Sequence, residues 1–145
     1  MAKNGSKAIS DSLRINPTAV ERKLSSFISK KVRDSRTKGA VIGMSGGIDS
    51  SVVAVLCAKA LGPKRVLGIW MPESKAADPQ DAIDAREVAE KFRIEFKSID
   101  ITPGLDGIRK SLIDYEPGAK LPNANLRPRL RMLILYYYAN ALNRL

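Results

Sequence analysis

Residues 43–50 have the composition of a loop that binds pyrophosphate. The eight residues are Gly43, Met44, Ser45, Gly46, Gly47, Ile48, Asp49 and Ser50. They lie between a short apolar segment rich in β-branched residues and an apolar segment typical of a helix. A glycine-rich turn between a strand and a helix gathers backbone N–H groups and the positive end of the helix dipole around one point. We therefore predict that residues 43–50 hold the phosphates of a nucleotide.

The charge of this loop distinguishes it from two familiar nucleotide-binding loops. A Walker A loop needs a lysine, but none lies between residues 40 and 58, and the Gly-x-Gly-x-x-Gly pattern is also absent. Asp49 lies in the loop instead, and a carboxylate beside phosphates is a typical ligand of Mg²⁺. Asp49 is therefore the candidate metal ligand. The alternative is a simple strand–helix turn in which Asp49 and Ser50 cap the helix.

The rest of the composition narrows the chemistry further. Histidine is absent from the 145 residues, which excludes Ser-His and Cys-His nucleophilic catalysis within this stretch. Cys57 is the single cysteine and lies in an apolar helical segment, so we expect a packed thiol and no internal disulfide. No residue is assigned as a nucleophile or a base, and we expect the chemistry to depend on carboxylates, cations and backbone groups.

The elements around the loop alternate between helix and strand. Asn16-Pro17 and Asp78-Pro79 each have the pattern of an N-cap followed by proline in the first helical position. Helices are predicted from Asn16 onward and at 50–61, 78–91, 105–112 and 128–143, strands at 40–44, 65–71 and 94–101, and a loop at 115–125. This alternation predicts an α/β fold, a parallel sheet with helices on both faces. Residues 1–15 are predicted to be a flexible tail, and 16–145 to be part of one domain.

The count of strands predicts that the chain is truncated. A strand that bears a nucleotide loop is expected to have sheet on both sides of the switch point where ligands bind, yet the pattern gives only three strands. Residues 142–145 show neither a helix stop signal nor a following strand. We therefore expect the C-terminal strands of the domain to be missing.

The charge of the chain favours partners that carry phosphate. Twenty-five lysines and arginines against 15 acidic residues give a formal charge of +10, which attracts nucleotides and nucleic acids. The basic group in residues 22–38 is interpreted as a solvated helix face. No apolar run approaches the roughly 20 residues of a membrane span, and the N-terminus lacks a secretory signal. A cytoplasmic location without membrane contact is expected.

The loop sequence resembles a known superfamily. Residues 45–50 match the Ser-Gly-Gly-x-Asp-Ser signature of the PP-loop ATP pyrophosphatases. Within it, the chain from about Asn16 onward is similar to the ammonia-dependent NAD synthetases of the short, archaeal-like type. Three further segments carry that narrower resemblance: the entry helix leading into residues 39–43, Trp70-Met71-Pro72, and residues 125–132 with the tyrosine-rich helix that follows them.

The resemblance implies a fold and site residues. The fold is adenine nucleotide alpha-hydrolase-like (Rossmann-like), ATP is bound by residues 43–50, and Mg²⁺ is bound by Asp49. Arg129 falls on the arginine that contacts deamido-NAD, with Arg131 as a neighbouring support; the alternative for Arg129 is an exposed arginine at a helix start. The sequence departs from the family at Ala124, where glycine is usual, and at Pro128, where alanine is usual.

The resemblance also implies a reaction and partners. ATP, deamido-NAD and ammonia give NAD, AMP and pyrophosphate through an adenylated carboxylate, and the protein is a homodimer. The second magnesium ligand and much of the substrate pocket of relatives have no counterpart in these 145 residues. Two rival hypotheses remain: another PP-loop enzyme that modifies tRNA or forms GMP, and a nucleotide-binding fragment without catalysis. Nucleic acid is the less expected partner, because no cysteine pair or RNA-binding appendage is present.

Overall fold

The computed structural model describes residues 15–74 and 76–145. Residues 1–14, which form nearly all of the predicted tail, lie outside the described part of the chain. The described residues form these helices and strands in order: α1 Pro17–Asp34, β1 Ala40–Met44, α2 Ile48–Leu61, a 3₁₀ turn Pro63–Arg65, β2 Val66–Trp70, α3 Pro79–Lys91, β3 Glu95–Ser98, α4 Thr102–Ser111 and α5 Lys120–Leu142.

The three strands form one parallel sheet with β2 in the centre. β1 pairs with β2 so that Ala40 lies opposite Val66, and β2 pairs with β3 so that Leu67 lies opposite Glu95. Successive side chains of β2 point to opposite faces, so Val66 belongs to one core cluster and Leu67 to the other. Helices cover both faces: α1, α2 and α3 supply buried residues to the Val66 cluster, whereas α4 and α5 pack on the Leu67 cluster. The predicted α/β fold is confirmed.

Two of the predicted helix starts are confirmed in detail. The Asn16 side chain accepts a hydrogen bond of 3.1 Å from the backbone N–H of Ala19, and Pro17 opens α1. The Asp78 side chain accepts one of 2.9 Å from the N–H of Gln80, and Pro79 opens α3. Each cap satisfies a backbone donor that has no partner within its helix.

The start of α5 was predicted wrongly. The helix begins at Lys120 and not at Pro128, which lies inside it. Proline lacks the N–H for the bond to residue i−4, so it commonly marks a first turn and was interpreted as one. Here the turns before Pro128 are held by tertiary packing, since Leu126 contacts the Leu67 cluster and the side-chain amide of Asn123 donates to the carbonyls of Glu116 and Pro117. The predicted loop at 115–125 is therefore shorter at its C-terminal end.

The end of α5 also differs from the prediction of no helix stop signal. Asn143 adopts the left-handed conformation with φ of 48°, and the Arg144 N–H donates to the Ala139 carbonyl across 2.7 Å, which ends the helix. The Leu145 N–H then donates to Gly39 O at 2.9 Å, and the Val41 N–H donates to Leu145 O at 2.6 Å. This is the bonding pattern of a parallel pair, so Leu145 lies alongside the edge of β1 that faces away from β2.

No helix in the described part of the chain is long and apolar enough to cross a membrane. Cys57 is buried on α2, as expected, and burial raises the pKa of its thiol.

Candidate functional site

The loop after β1 has a backbone that requires glycine. β1 ends at the buried Met44, and Gly46 follows with φ of +85°. A Cβ atom on Gly46 would lie 2.6 Å from both the Cα and the carbonyl oxygen of Asp81, at the start of α3. Position 46 therefore requires glycine for two separate reasons: its backbone is in a left-handed conformation, and the Asp81 backbone lies too close for a Cβ atom.

The serines of the loop hold its shape. The Ser50 hydroxyl accepts a bond of 3.1 Å from the N–H of Ser45 and donates one of 3.0 Å to the Gly47 carbonyl. The Ser51 hydroxyl donates to the same carbonyl at 2.9 Å, and the Gly47 N–H donates to Ser45 Oγ at 3.3 Å. The first N–H groups of α2, which begins at Ile48, have no partner within the helix. They are the donors that the loop offers to an anion.

A cleft of about 450 Å³ opens at the carboxyl ends of β1 and β2, beside this loop. Clefts at this edge of a parallel sheet are the usual ligand sites of α/β proteins. The lining residues come from the loop, the end of β2, the segment before α3 and one wall of α5: Gly43, Met44, Ser45, Trp70, Met71, Pro72, Glu73, Ala76, Ala77, Asp81, Arg127, Arg131 and Leu135.

The α5 wall is a stripe of three residues spaced by four. Leu135 lies deepest: a Cβ on Gly43 would lie 3.4 Å from Leu135 Cδ1. One turn earlier, Arg131 Nε donates to the Met71 carbonyl at 3.0 Å, and Arg127 is one turn before that. Residues four apart lie on one face of a helix, so this stripe places two guanidinium groups along the cleft.

Glu73 joins the α5 wall of the cleft to α4. One oxygen of its carboxylate accepts a hydrogen bond from Arg127 Nε, and the other accepts one of 3.3 Å from Arg109, which also bonds Asp106 at 3.1 Å. The Glu73 side chain is only 11% exposed. The hydrogen bond from Arg127 lowers the pKa of Glu73, although burial opposes it. This network was not predicted, and its only sequence signals are a glutamate directly after Met71-Pro72 and an arginine four residues before Arg131.

A second acidic residue fastens the segment between β2 and α3. Asp100 accepts hydrogen bonds from the Ser74 hydroxyl at 2.6 Å and from the Thr102 N–H at 2.9 Å, and these bonds lower the pKa of Asp100 to about 2. The Ser74 N–H also donates to the Thr102 hydroxyl oxygen at 2.9 Å. Glu73 is thereby held close to the start of α4.

The structure separates the predicted site residues into two groups. Residues 43–50 are contiguous beside the cleft, with Asp49 exposed in the first turn of α2. Arg129 lies on the exposed side of α5, roughly 200° around the helix from Arg127. It does not line the cleft, whereas its predicted support Arg131 does. The roles of residues 43–50, Asp49 and Arg129 stay predictions.

The donor set limits how a metal ion could be held. Among residues 15–74 and 76–145, no group of three or more acidic, cysteine or histidine side chains could hold one. Mg²⁺ in nucleotide sites is commonly bound by one or two carboxylates together with phosphate oxygens and waters. The exposed carboxylate of Asp49 beside the loop fits that kind of site and does not fit a site built from protein ligands alone.

Comparisons with known proteins agree with this geometry. A family model described as NAD synthase matches residues 20–145. The NH3-dependent NAD+ synthetase of Pyrobaculum aerophilum is 43% identical over 120 residues, which cover 83% of this chain and 45% of that protein. The one from Methanocaldococcus jannaschii is 44% identical over 127 residues, covering 86% and 48%. The chain thus spans about half the length of the curated relatives it matches.

Solved structures give the same result. The NH3-dependent NAD synthetase of Campylobacter jejuni, in complex with the nitrate ion, superposes with a TM-score of 0.80 at 32% identity, covering 90% of this chain and 55% of that one. The NMN synthetase of Francisella tularensis superposes with a TM-score of 0.82 at 33% identity, covering 90% and 53%.

Proposed function

From its membership of the NAD synthase family, to which this chain belongs, we propose that its cleft binds ATP for the amidation of deamido-NAD by ammonia. The products are NAD, AMP and pyrophosphate. The observation that carries the proposal is the loop at residues 43–50, of which Gly43, Met44 and Ser45 line a cleft at the ends of β1 and β2. In the proposed complex, the phosphates of ATP lie on the loop and its adenine base lies against the end of β2 at residues 70–72.

The reaction has two steps. An oxygen of the nicotinate carboxylate attacks the α-phosphorus of ATP, the bond from that phosphorus to the bridging oxygen breaks, and pyrophosphate leaves. Ammonia then adds to the acyl carbon, AMP leaves with the electrons of the carbon–oxygen bond, and a proton passes to solvent. The chain supplies position and charge stabilisation for these steps and no nucleophile or base of its own.

Asp49 holds the metal in this proposal. Its carboxylate lies in the first turn of α2, beside the N–H donors that take the phosphates. Bound Mg²⁺ supplies positive charge that offsets the charge of the pyrophosphate group. Asp49 would contribute one ligand, and phosphate oxygens and waters would contribute the others.

The outward face of α5 is the proposed place for deamido-NAD and for a second copy of the chain. Arg129 shares this face with four apolar residues that are 49–68% exposed: Met132, Leu133, Tyr136 and Tyr137. Exposed apolar groups of this kind are typical of protein interfaces. We propose that two chains meet through this face and that Arg129, at its edge, contacts deamido-NAD. A cytoplasmic location stays a prediction.

The proposal is tested by titrating the chain with ATP and Mg²⁺ in a calorimeter and by assaying NAD from deamido-NAD, ATP and ammonia. We expect ATP to bind and the loop to be required for its binding. In an active protein, NAD should form only with ammonia, and one AMP should be released for each NAD. Binding of ATP without any NAD would support the hypothesis of a non-catalytic fragment. No binding of ATP would contradict the proposal.

A second candidate product is NMN. The structural neighbour from Francisella tularensis is named an NMN synthetase and has a similar identity and TM-score to the NAD synthetase from Campylobacter jejuni. The same amidation on the acid form of NMN would give NMN. Parallel assays with the two acids at equal concentration, compared by kcat/KM, decide between the mononucleotide and the dinucleotide. Neither substrate is expected of the rivals that modify tRNA or form GMP.

A further inference from the structure

Arg127 and Glu73 form a pair on the cleft wall that the proposed reaction does not yet use. We propose that Arg127 contacts the α-phosphate of the nucleotide in this cleft and that Glu73 is the positioning residue that aims the Arg127 guanidinium at it. The inference rests on the proposed function, since it requires a nucleotide in the cleft. It assigns a ligand contact to the inner face of α5, separate from the predicted role of Arg129 on the outer face.

Arg127 has hydrogen-bond donors that no protein group uses in the described part of the chain. Its Nε atom donates to the Glu73 carboxylate, and within residues 15–74 and 76–145 its two terminal nitrogens make no hydrogen bond. The side chain lines the cleft and is 39% exposed. A guanidinium anchored through Nε presents its two terminal nitrogens as a fork, which is the geometry that binds phosphate oxygens in pairs.

Glu73 is itself held in place by both neighbouring helices. Arg127 from α5 and Arg109 from α4 bond its two oxygens, and Asp106 in turn bonds Arg109. A side chain that is only 11% exposed and bonded at both oxygens cannot turn away to meet solvent. Arg127 is therefore fixed before a ligand arrives, which reduces the conformational entropy lost on binding.

The pair lies along the cleft beyond the end of β2. The loop follows β1, Glu73 lies three residues after β2 ends, and neighbouring strands are about 4.8 Å apart. A nucleotide with its β- and γ-phosphates on the loop and its base against residues 70–72 has its α-phosphate between these two places. Arg127 lines the same cleft from the α5 wall, so we place its guanidinium against that phosphate.

The experiment compares Arg127→Gln with Lys120→Gln by calorimetry on the whole chain. The ligands are AMP, ATP with Mg²⁺, and inorganic pyrophosphate. Lys120 is an exposed residue at the start of the same helix. Lys120→Gln therefore removes one positive charge from α5, as Arg127→Gln does. We expect Arg127→Gln to raise the Kd of AMP and of ATP roughly tenfold, as for the loss of one charge-assisted hydrogen bond, and to leave pyrophosphate unchanged. Lys120→Gln should change none of the three.

Glu73→Gln separates positioning from general support of the fold. Alone, it should weaken AMP binding by roughly threefold or more; added to Arg127→Gln, it should have no further effect, because its influence passes through Arg127. Circular dichroism and thermal melting confirm that each variant is folded. Additive effects, or an AMP affinity of Arg127→Gln equal to that of Lys120→Gln, would overturn this inference alone. A wild-type chain that binds no ATP would overturn the proposed function with it.

Discussion

At the scale of single residues, Asp49 carries the most specific prediction. Asparagine has the shape of aspartate without its charge, so Asp49→Asn should keep the turn into α2 and lose the metal ligand. We expect ATP affinity measured with Mg²⁺ to fall at least tenfold, while affinity measured with EDTA stays the same or improves. Asp114→Asn, at an exposed position in the loop before α5, is the control. Unchanged Mg²⁺-dependent binding in Asp49→Asn would remove the metal assignment.

Gly46 and Gly107 form a matched pair for testing the loop backbone. At Gly46, alanine meets a left-handed φ, which costs about 1–2 kcal/mol for a residue with a Cβ, and a backbone contact at 2.6 Å. At Gly107, inside α4, a Cβ has no atom within 4 Å. We expect Gly46→Ala to lower the free energy of unfolding by at least about 2 kcal/mol and to abolish ATP binding, and Gly107→Ala to raise stability by about 0.5–1 kcal/mol. If urea unfolding gave equal changes in the free energy of unfolding for Gly46→Ala and Gly107→Ala, the close approach of the Gly46 and Asp81 backbones would be contradicted.

Asp100 predicts a specific dependence of stability on pH. Its folded pKa of about 2 lies below the ordinary value of 3.8, because Ser74 and Thr102 bond its charged form. A lowered pKa stabilises the fold above the ordinary value, and that contribution disappears as pH falls through the folded value. Asp100→Asn should therefore be less stable than wild type at pH 6, and the difference should shrink between about pH 4 and pH 2. Urea unfolding at intervals across this range is the measurement, and a difference independent of pH would count against the assigned bonds.

At the scale of elements, local patterns predicted what local physics determines. The N-caps Asn16 and Asp78 were predicted because a cap and its donor lie within three residues of each other. The glycine turn between β1 and α2 was predicted for the same reason, since its residues are contiguous. The pair of Glu73 and Arg127 was not, because its members are 54 residues apart and meet only if α5 extends through Pro128. The sequence signal at that proline favoured a helix start.

Pro128 itself gives a prediction about α5. Inside a helix, proline removes the bond to the carbonyl of residue i−4, here Ala124, at a cost of up to about 3 kcal/mol. Pro128→Ala should restore this bond and raise the free energy of unfolding by about 1–3 kcal/mol, seen as a higher Tm in calorimetry. Pro122→Ala, in the first turn of α5, should have little effect, because its N–H has no partner within the helix. A lower Tm for Pro128→Ala would show that proline at this position is itself required for the packing of Leu126 and Leu130 on the Leu67 cluster.

At the scale of the whole molecule, α5 links the two halves of the proposed site. Its inner stripe lines the cleft, another face packs on the Leu67 cluster, and its outer face is exposed and apolar. This division was only partly visible in the sequence, since a helix that is apolar on most sides can be buried in one chain or shared between two. The fold places Arg127 and Arg129 on opposite sides of one helix, so the two proposals assign them separate ligands.

The outer face leads to a prediction about assembly. Leu133 is 63% exposed at the centre of this face, whereas Ile113, in the loop before α5, is 99% exposed outside it. If two chains meet through α5, a charge at Leu133 is buried without a partner and weakens the dimer, but the same charge at Ile113 does not. We expect light scattering to give twice the 15.9 kDa of one chain for wild type and Ile113→Asp, and a shift toward one chain for Leu133→Asp. A wild-type mass of one chain at high concentration would contradict the interface; an intact dimer in Leu133→Asp would place it on another surface, and Arg129 would then have to meet deamido-NAD within a single chain.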